Sequence, residues 1–229
     1  MNISNKSLSS NKTWAHKAIE CLEQEAARSS DTHLIKLDLI GFPGIQIYFK
    51  DESSHITGSL KHRLARSLYL YALCNGKLHE GQLVIDASSG STAISEAWFA
   101  KLLGLQFIAV MPENTTSRKV ELLQALGAVC DLVPIDVDAS QHALNRANNE
   151  NACYLNQFGL AERATDWRGN NNIAESILSQ MTKEENPEPS WIVCGAGTGG
   201  TSATIGRYLR YRRLHTQLCV SEPTGGAFA

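Results

Sequence analysis

Apolar positions along this chain switch between a helical and a strand-like period, and the switching sets the expected architecture. Between residues 13 and 29, Trp14, Ala18, Cys21, Leu22 and Ala26 recur at helical spacing, with Glu20, Glu23, Glu25 and Arg28 between them. This predicts an amphipathic helix. After the turn G-F-P-G, the run Ile45–Lys50 reads as a strand. The polar loop DESSHITG precedes a predicted helix over Ser59–Asn75 that ends at Gly76. Leu83–Ala87 reads as a short buried strand, followed by the loop SSGS and a helix over Thr92–Leu103 closed by Gly104. Phe107–Met111 is the next strand, stopped by Pro112; a helix over Ser117–Leu126 is closed by Gly127, and Val129–Val133 follows as a strand.

Helices closed by glycine, alternating with short apolar strands, predict βαβ units and a parallel sheet. Residues 139–150 (ASQHALNRANNE) predict one more helix and Tyr154–Phe158 a further strand. A helix over Ile173–Met181 leads through the linker TKEENPEPS to the strand Trp191–Cys194, and Ser202–Tyr211 reads as a helix. The expected class is α/β, in two lobes, without repeat, low-complexity tract or heptad seam. The chain stops at SEPTGGAFA just after a strand, in the middle of a βα rhythm, which is read as a truncated chain or fragment.

Composition narrows the setting. Of 229 residues, 43% are hydrophobic and 19% charged, as in a globular chain with a core. A net charge of −2 gives no electrostatic reason to expect nucleic acid or an anionic membrane as partner. No apolar run approaches the ~18 residues that span a bilayer. The polar amino terminus MNISNKSLSSNKTW lacks the apolar centre of a secretory signal, and residues 1–12 are expected to be a frayed, solvated lead-in. The six cysteines (Cys21, Cys74, Cys130, Cys153, Cys194, Cys219) form no C-x-x-C pair and read as reduced, buried small hydrophobes, which suits a cytoplasmic protein. His16, His33, His55, His79, His142 and His215 lack partners at ligand spacing, so no metal is assigned.

Three segments carry candidate chemistry. In WIVCGAGTGGT, Gly195, Gly197 and Gly200 spell G-x-G-x-x-G between a strand and a helix, with Glu222 about 20 residues on where a dinucleotide site places its ribose-binding acid. Alone, this window reads as NAD-binding. In KDESSHITGSLKHR, Gly58 permits a tight turn, Ser59 is a good N-cap, and Lys61 falls in the first helical turn. There the helix dipole helps to lower an amine's pKa, and such a lysine can form a Schiff base with a carbonyl cofactor. An ordinary capped helix with an exposed basic turn is the plain alternative. In DASSGSTA, Ser88, Ser89, Ser91 and Thr92 offer hydroxyls and a helix start that can receive a carboxylate. A plain capping loop explains that segment equally.

Together the segments resemble the fold-type II pyridoxal-phosphate enzymes of the cysteine synthase superfamily, over nearly all of residues 40–229. H-I-T-G-S-L-K-H-R stands where that family has N-P-T-G-S-x-K-x-R, S-S-G-S-T-A where it has T-S-G-N-T-G, and residues 197–201 match its G-T-G-G-T phosphate cup. Gln157 and Phe158 match its Q-F pair. The resemblance implies two three-layer αβα lobes with mainly parallel twisted sheets. Residues 1–65 would open the large lobe and carry the cofactor lysine, 66–165 would form a small mobile lobe, and 166–229 would return to an incomplete large lobe.

Pyridoxal phosphate would be held by Lys61, Ser91, Gly197, Thr198, Gly199, Gly200 and Thr201. The carboxylate of a small amino-acid substrate would be held by Ser88, Ser89, Gly90, Thr92 and Gln157. Lys61, once freed, would act as the base on Cα. His62 and Arg63 are expected to close the helix start onto neighbouring loops. Arg168, Asn170, Asn171 and Asn172 would line the mouth of the site or a solvated loop.

Two departures, Ser91 in place of the family's asparagine and ERATDWRGNNNIAESI in place of a T-T-G-P-E-type segment, resemble the cysteine desulfhydrase branch. The family's residue opposite the pyridine nitrogen falls beyond Ala229. The activity implied is β-elimination on L-cysteine giving sulfide, pyruvate and ammonia, with cysteine synthase chemistry (β-replacement on O-acetylserine) as the alternative. A truncated, non-catalytic relative is the third reading. A complete chain is expected to be a homodimer.

Overall fold

The computed structural model of the chain describes residues 3–29, 31–168, 172–222 and 224, with side chains from residue 11 onward. Its elements run α1 (Ile3–Arg28), β1 (His33–Leu37), β2 (Ile47–Asp51), a 3-10 turn at Glu52–Ser54, α2 (Lys61–Cys74), β3 (Val84–Ala87) and α3 (Ser91–Leu102). They continue with β4 (Phe107–Pro112), α4 (Ser117–Ala125), β5 (Val129–Val133), α5 (Ala139–Asn149), β6 (Cys153–Tyr154) and α6 (Gln157–Ala164). The last are α7 (Ile173–Met181), β7 (Trp191–Gly195), α8 (Gly200–Arg212) and β8 (Gln217–Ser221).

The class is α/β, with mainly parallel sheet. Strands β5-β4-β3-β6 form a four-stranded parallel sheet, β7 pairs with β8 in parallel, and β1 pairs with β2 antiparallel. The apolar runs of β3 and β4 follow from their burial on both faces. Val84, Phe107, Ala109 and Met111 pack against α2, α3 and α4 on one face. Their neighbours Ile85, Ile108 and Val110 pack with Ala143 and Ala147 of α5 on the other. A third cluster joins Ala174 of α7, Ile192 of β7 and Ile205, Tyr208 and Leu209 of α8. Gly76, Gly104 and Gly127, at φ of 63°, 69° and 86°, end α2, α3 and α4 as the sequence predicts.

Three expectations are corrected and one strand is added. Residues 3–12 are not a frayed lead-in but the first turns of α1, and the Asn11 side chain accepts the Glu80 N–H at 3.2 Å. The strand expected over Tyr154–Phe158 shortens to Cys153–Tyr154, because Asn156 turns into the left-handed region (φ 53°) and its carboxamide caps α6 through the Gly159 N–H. Strand β1 had no counterpart in the sequence reading. Cys74 and Cys219 are exposed, Cys21, Cys130 and Cys194 half-buried, and Cys153 alone of the six is fully buried. All six are free thiols. Among the described residues no helix is long and apolar enough to cross a membrane, and no cluster of His, Cys, Asp and Glu could hold a metal ion.

Candidate active site

Lys61 is the first residue of α2, set by the turn before it. Gly58 takes a positive φ of 73°, and its N–H donates to the His55 carbonyl at 2.7 Å. The residue flanking the helix is Leu60 rather than the expected Ser59; Ser59 Oγ still accepts the Lys61 N–H at 3.3 Å. Burial lowers the Lys61 pKa, an effect that an ionised Glu96 would partly offset. Its side chain is directed at the glycine loop, for a Cβ placed on Gly197 would lie 3.9 Å from Nζ.

That loop joins β7 to α8. Gly199 takes a φ of 75° and leads into the helix at Gly200, where the first N–H groups of α8 lack intrahelical partners and face the loop with the positive end of the dipole. At Gly200 a side chain would crowd Ala161 of α6, 3.1 Å from its Cβ, so glycine here lets the two helices meet. A cleft of about 1200 Å³ runs from Lys61 and residues 195–201 along Ile47–Lys50 and Trp191–Cys194. A water-sized pocket of about 30 Å³ lies between Lys61, Thr165, Asn172, Thr198 and Thr201.

The loop 88–92 and Gln157 stand outside this cleft's lining, at a neighbouring position that topology explains. From β3 the chain proceeds to β4 and β5 on one side and returns to β6 on the other. The carboxyl ends of β3 and β6 thus bound a switch point, where open α/β sheets bind ligands. Ser88 Oγ accepts the N–H groups of Gly90 (3.3 Å) and Ala93 (3.2 Å), so this hydroxyl is built into the start of α3. Ser89 and Gly90 are half-buried, Ser91 is exposed and Thr92 buried. Gln157 is buried; its backbone N–H reaches Asp86 Oδ2 at 3.1 Å and its Nε2 donates to the Ala87 carbonyl at 2.8 Å.

Hydroxyls connect the two centres. Thr57 Oγ1, just before the lysine turn, lies 3.2 Å from His62 Nδ1 and 3.0 Å from Ser95 Oγ, which donates to the Ser91 carbonyl at 3.0 Å. His62 is wholly buried between Phe99 and Trp98, and its Nε2 meets Glu25 of α1 at 3.1 Å. Arg66 donates to the same carboxylate at 2.6 Å. Burial alone would raise the Glu25 pKa, but His62 and Arg66 outweigh it and hold the group at about 2. Arg63 pairs with Glu52 at 2.7 Å and Asp31 at 2.9 Å. His62 and Arg63 thereby fasten α2 to its neighbours.

Asn172 caps α7 by accepting the Glu175 N–H at 2.8 Å, whereas the Arg168 side chain is exposed over the Trp167 ring. Asn170 and Asn171 lie outside the described residues. Sequence reasoning missed Thr57, Asp86 and Glu96. A single acid within the apolar stretch STAISEAWFA was the available signal for Glu96.

The family model described as "Pyridoxal-phosphate dependent enzyme" matches residues 28–229, and the chain belongs to that family. The chain is 56% identical to L-cysteine desulfhydrase Cds1 of Mycobacterium tuberculosis, over 95% of its own length and 60% of the relative's. It is 31% identical to a cysteine synthase of Dictyostelium discoideum, over 85% of this chain and 52% of that one. A solved hydrogen sulfide-producing enzyme of Fusobacterium nucleatum superposes with a TM-score of 0.77 at 25% identity, covering 89% of this chain and 62% of that one. The chain thus spans about half to three-fifths of the relatives it matches. The family match sets aside the dinucleotide reading of the glycine loop.

Proposed function

We propose that this chain carries a pyridoxal-phosphate-dependent β-elimination of L-cysteine, in which cysteine and water give sulfide, pyruvate and ammonia. The observation behind this reading is the approach of a half-buried lysine amine to a glycine loop at a helix start, in a chain 56% identical to an L-cysteine desulfhydrase. The residues fit the cofactor. An amine is on hand for its carbonyl, the missing Cβ of Gly197 leaves room beside that amine, and the start of α8 suits a phosphate.

In this reading Gly197, Thr198, Gly199, Gly200 and Thr201 hold the phosphate, Lys61 the carbonyl carbon, and Ser91 the ring oxygen. Ser88, Ser89, Gly90, Thr92 and Gln157 take the substrate carboxylate. When bound, the cofactor supplies an electron sink for negative charge at the substrate Cα. The Lys61 amine takes the Cα proton, and its lowered pKa keeps more of it in the neutral, basic form. Ile47–Lys50 line the cleft beside that amine. The relative at 31% identity supports a second reading, cysteine synthesis by β-replacement on O-acetylserine at the same residues. A homodimer in the cytoplasm completes the proposal.

Incubation with pyridoxal phosphate followed by borohydride reduction and peptide mapping tests the assignment. The label is expected on Lys61. Lys61→Ala is expected to lose it, together with ~10²-fold or more of the sulfide release from L-cysteine. A label on another lysine overturns the site. A labelled Lys61 without sulfide or pyruvate overturns the elimination.

A further inference from the structure

Beneath the substrate loop lie two carboxyl groups for which the proposed reaction has no use. Asp86 is in β3 and Glu96 in α3, and both are 0% exposed. Asp86 has its donors: Oδ1 accepts the Ala87 N–H at 2.9 Å and Oδ2 the Gln157 N–H at 3.1 Å. Neither carboxyl oxygen of Glu96 has a hydrogen-bond donor among the described residues. An ionised carboxylate only accepts, so a buried one without donors is costly, whereas a carboxylic acid brings its own donor. The acceptor within reach is Asp86.

Two buried carboxyls in contact do not both ionise. Burial raises Asp86 to about 6 and lifts Glu96 further, with Asp86 adding to the rise and Lys61 opposing it. The other titratable groups facing the pair are Tyr69 of α2 and Cys153 and Tyr154 of β6. Burial raises all three, so they stay neutral near pH 7.

We propose that Asp86 and Glu96 share one proton and act as a positioning pair for the loop 88–92 and Gln157. Neutral Glu96 donates to Asp86, and the single negative charge on Asp86 holds the N–H groups of Ala87, at the root of the loop, and of Gln157, at the start of α6. Uncharged, Glu96 also leaves Lys61 without a permanent ion-pair partner, so the amine can part with its proton. The proton pair rests on the complete burial of both carboxyls and on the Glu96 oxygens that no donor meets; its consequence for substrate rests on the function proposed above.

Infrared spectroscopy of the 229-residue chain, without cofactor or substrate, reads the proton directly. A buried carboxylic-acid C=O stretch is expected near pH 7 and should vanish in Glu96→Gln. Its absence from the wild type, or its persistence in Glu96→Gln, overturns the shared proton. Amide exchange reads the positioning. In Glu96→Leu the Ala87 and Gln157 amides should exchange about ten-fold faster, a 1.4 kcal/mol loosening, while Glu96→Gln, which keeps a neutral donor, restores protection. Equal exchange in all three proteins overturns the positioning role. Where L-cysteine turnover is measurable, KM should rise in Glu96→Leu and fall back in Glu96→Gln. A wild type that releases no sulfide would sink the reaction and leave the infrared and exchange results standing.

Discussion

The four-stranded sheet and the pair β7–β8 are both parallel and both read as apolar runs, yet they are covered differently. β3 is buried at every position and β4 at all but its last. In β7, Ile192 is buried while Trp191 and Val193 are 56% and 67% exposed, and β8 is exposed along most of its length. The difference lies in the layers. Helices cover both faces of the first sheet, whereas α7 and α8 cover one face of the second and the other walls the cleft. An apolar strand therefore marks a core only where a second layer arrives. Substitutions in the first sheet's surroundings should act on stability, and those along the cleft wall on what the surface holds.

The sharpest break is expected from Phe99→Ala. Phe99 is fully buried against His62, Trp98 and Tyr69, and truncation should cost about 3–5 kcal/mol, read as a fall in the urea midpoint. Glu25→Gln, at the junction of α1 and α2, comes next. It leaves Arg66 with an uncharged partner and should cost about 3 kcal/mol near pH 7. The pH dependence gives its sign. The folded pKa of Glu25 is depressed from 4.5 to about 2, so its stabilisation is fully present above pH 4.5 and is lost as the pH falls towards 2. Urea midpoints in that window should fall less steeply in Glu25→Gln than in the wild type. The smallest effect belongs to the cleft wall: Val193→Thr should change stability by less than about 0.5 kcal/mol while reducing self-association in light scattering. A loss like that of Phe99→Ala would mean that the wall is core after all.

Legibility in the sequence followed the same divide. β3 and β4 were readable because burial on both faces leaves a nearly continuous apolar run, and the helices beside them because a glycine closes each one. β1 (HLIKL) was not, since its exposures show no regular contrast between faces. The start of α6 depends on the left-handed backbone of Asn156, a conformation that no periodicity encodes. Lys61, the glycine loop and residues 88–92 were readable because small residues at a helix start are a local signal. Their separation between the cleft and the switch point was not, because it depends on strand order. Thr57 and Glu96 act on partners 38 and 10 positions away, through contacts that only the folded chain makes.

The hydroxyl chain from Ser91 to His62 also has a direction. Ionised Glu25 only accepts, so the proton on the neutral imidazole resides at Nε2, and Nδ1 is left bare to receive the Thr57 hydroxyl. Thr57 then has no proton left for Ser95, whose own points to the Ser91 carbonyl or back to Thr57. A carboxylate on the first helix thereby fixes the tautomer of one ring and the polarity of a relay that ends at the first turn of α3.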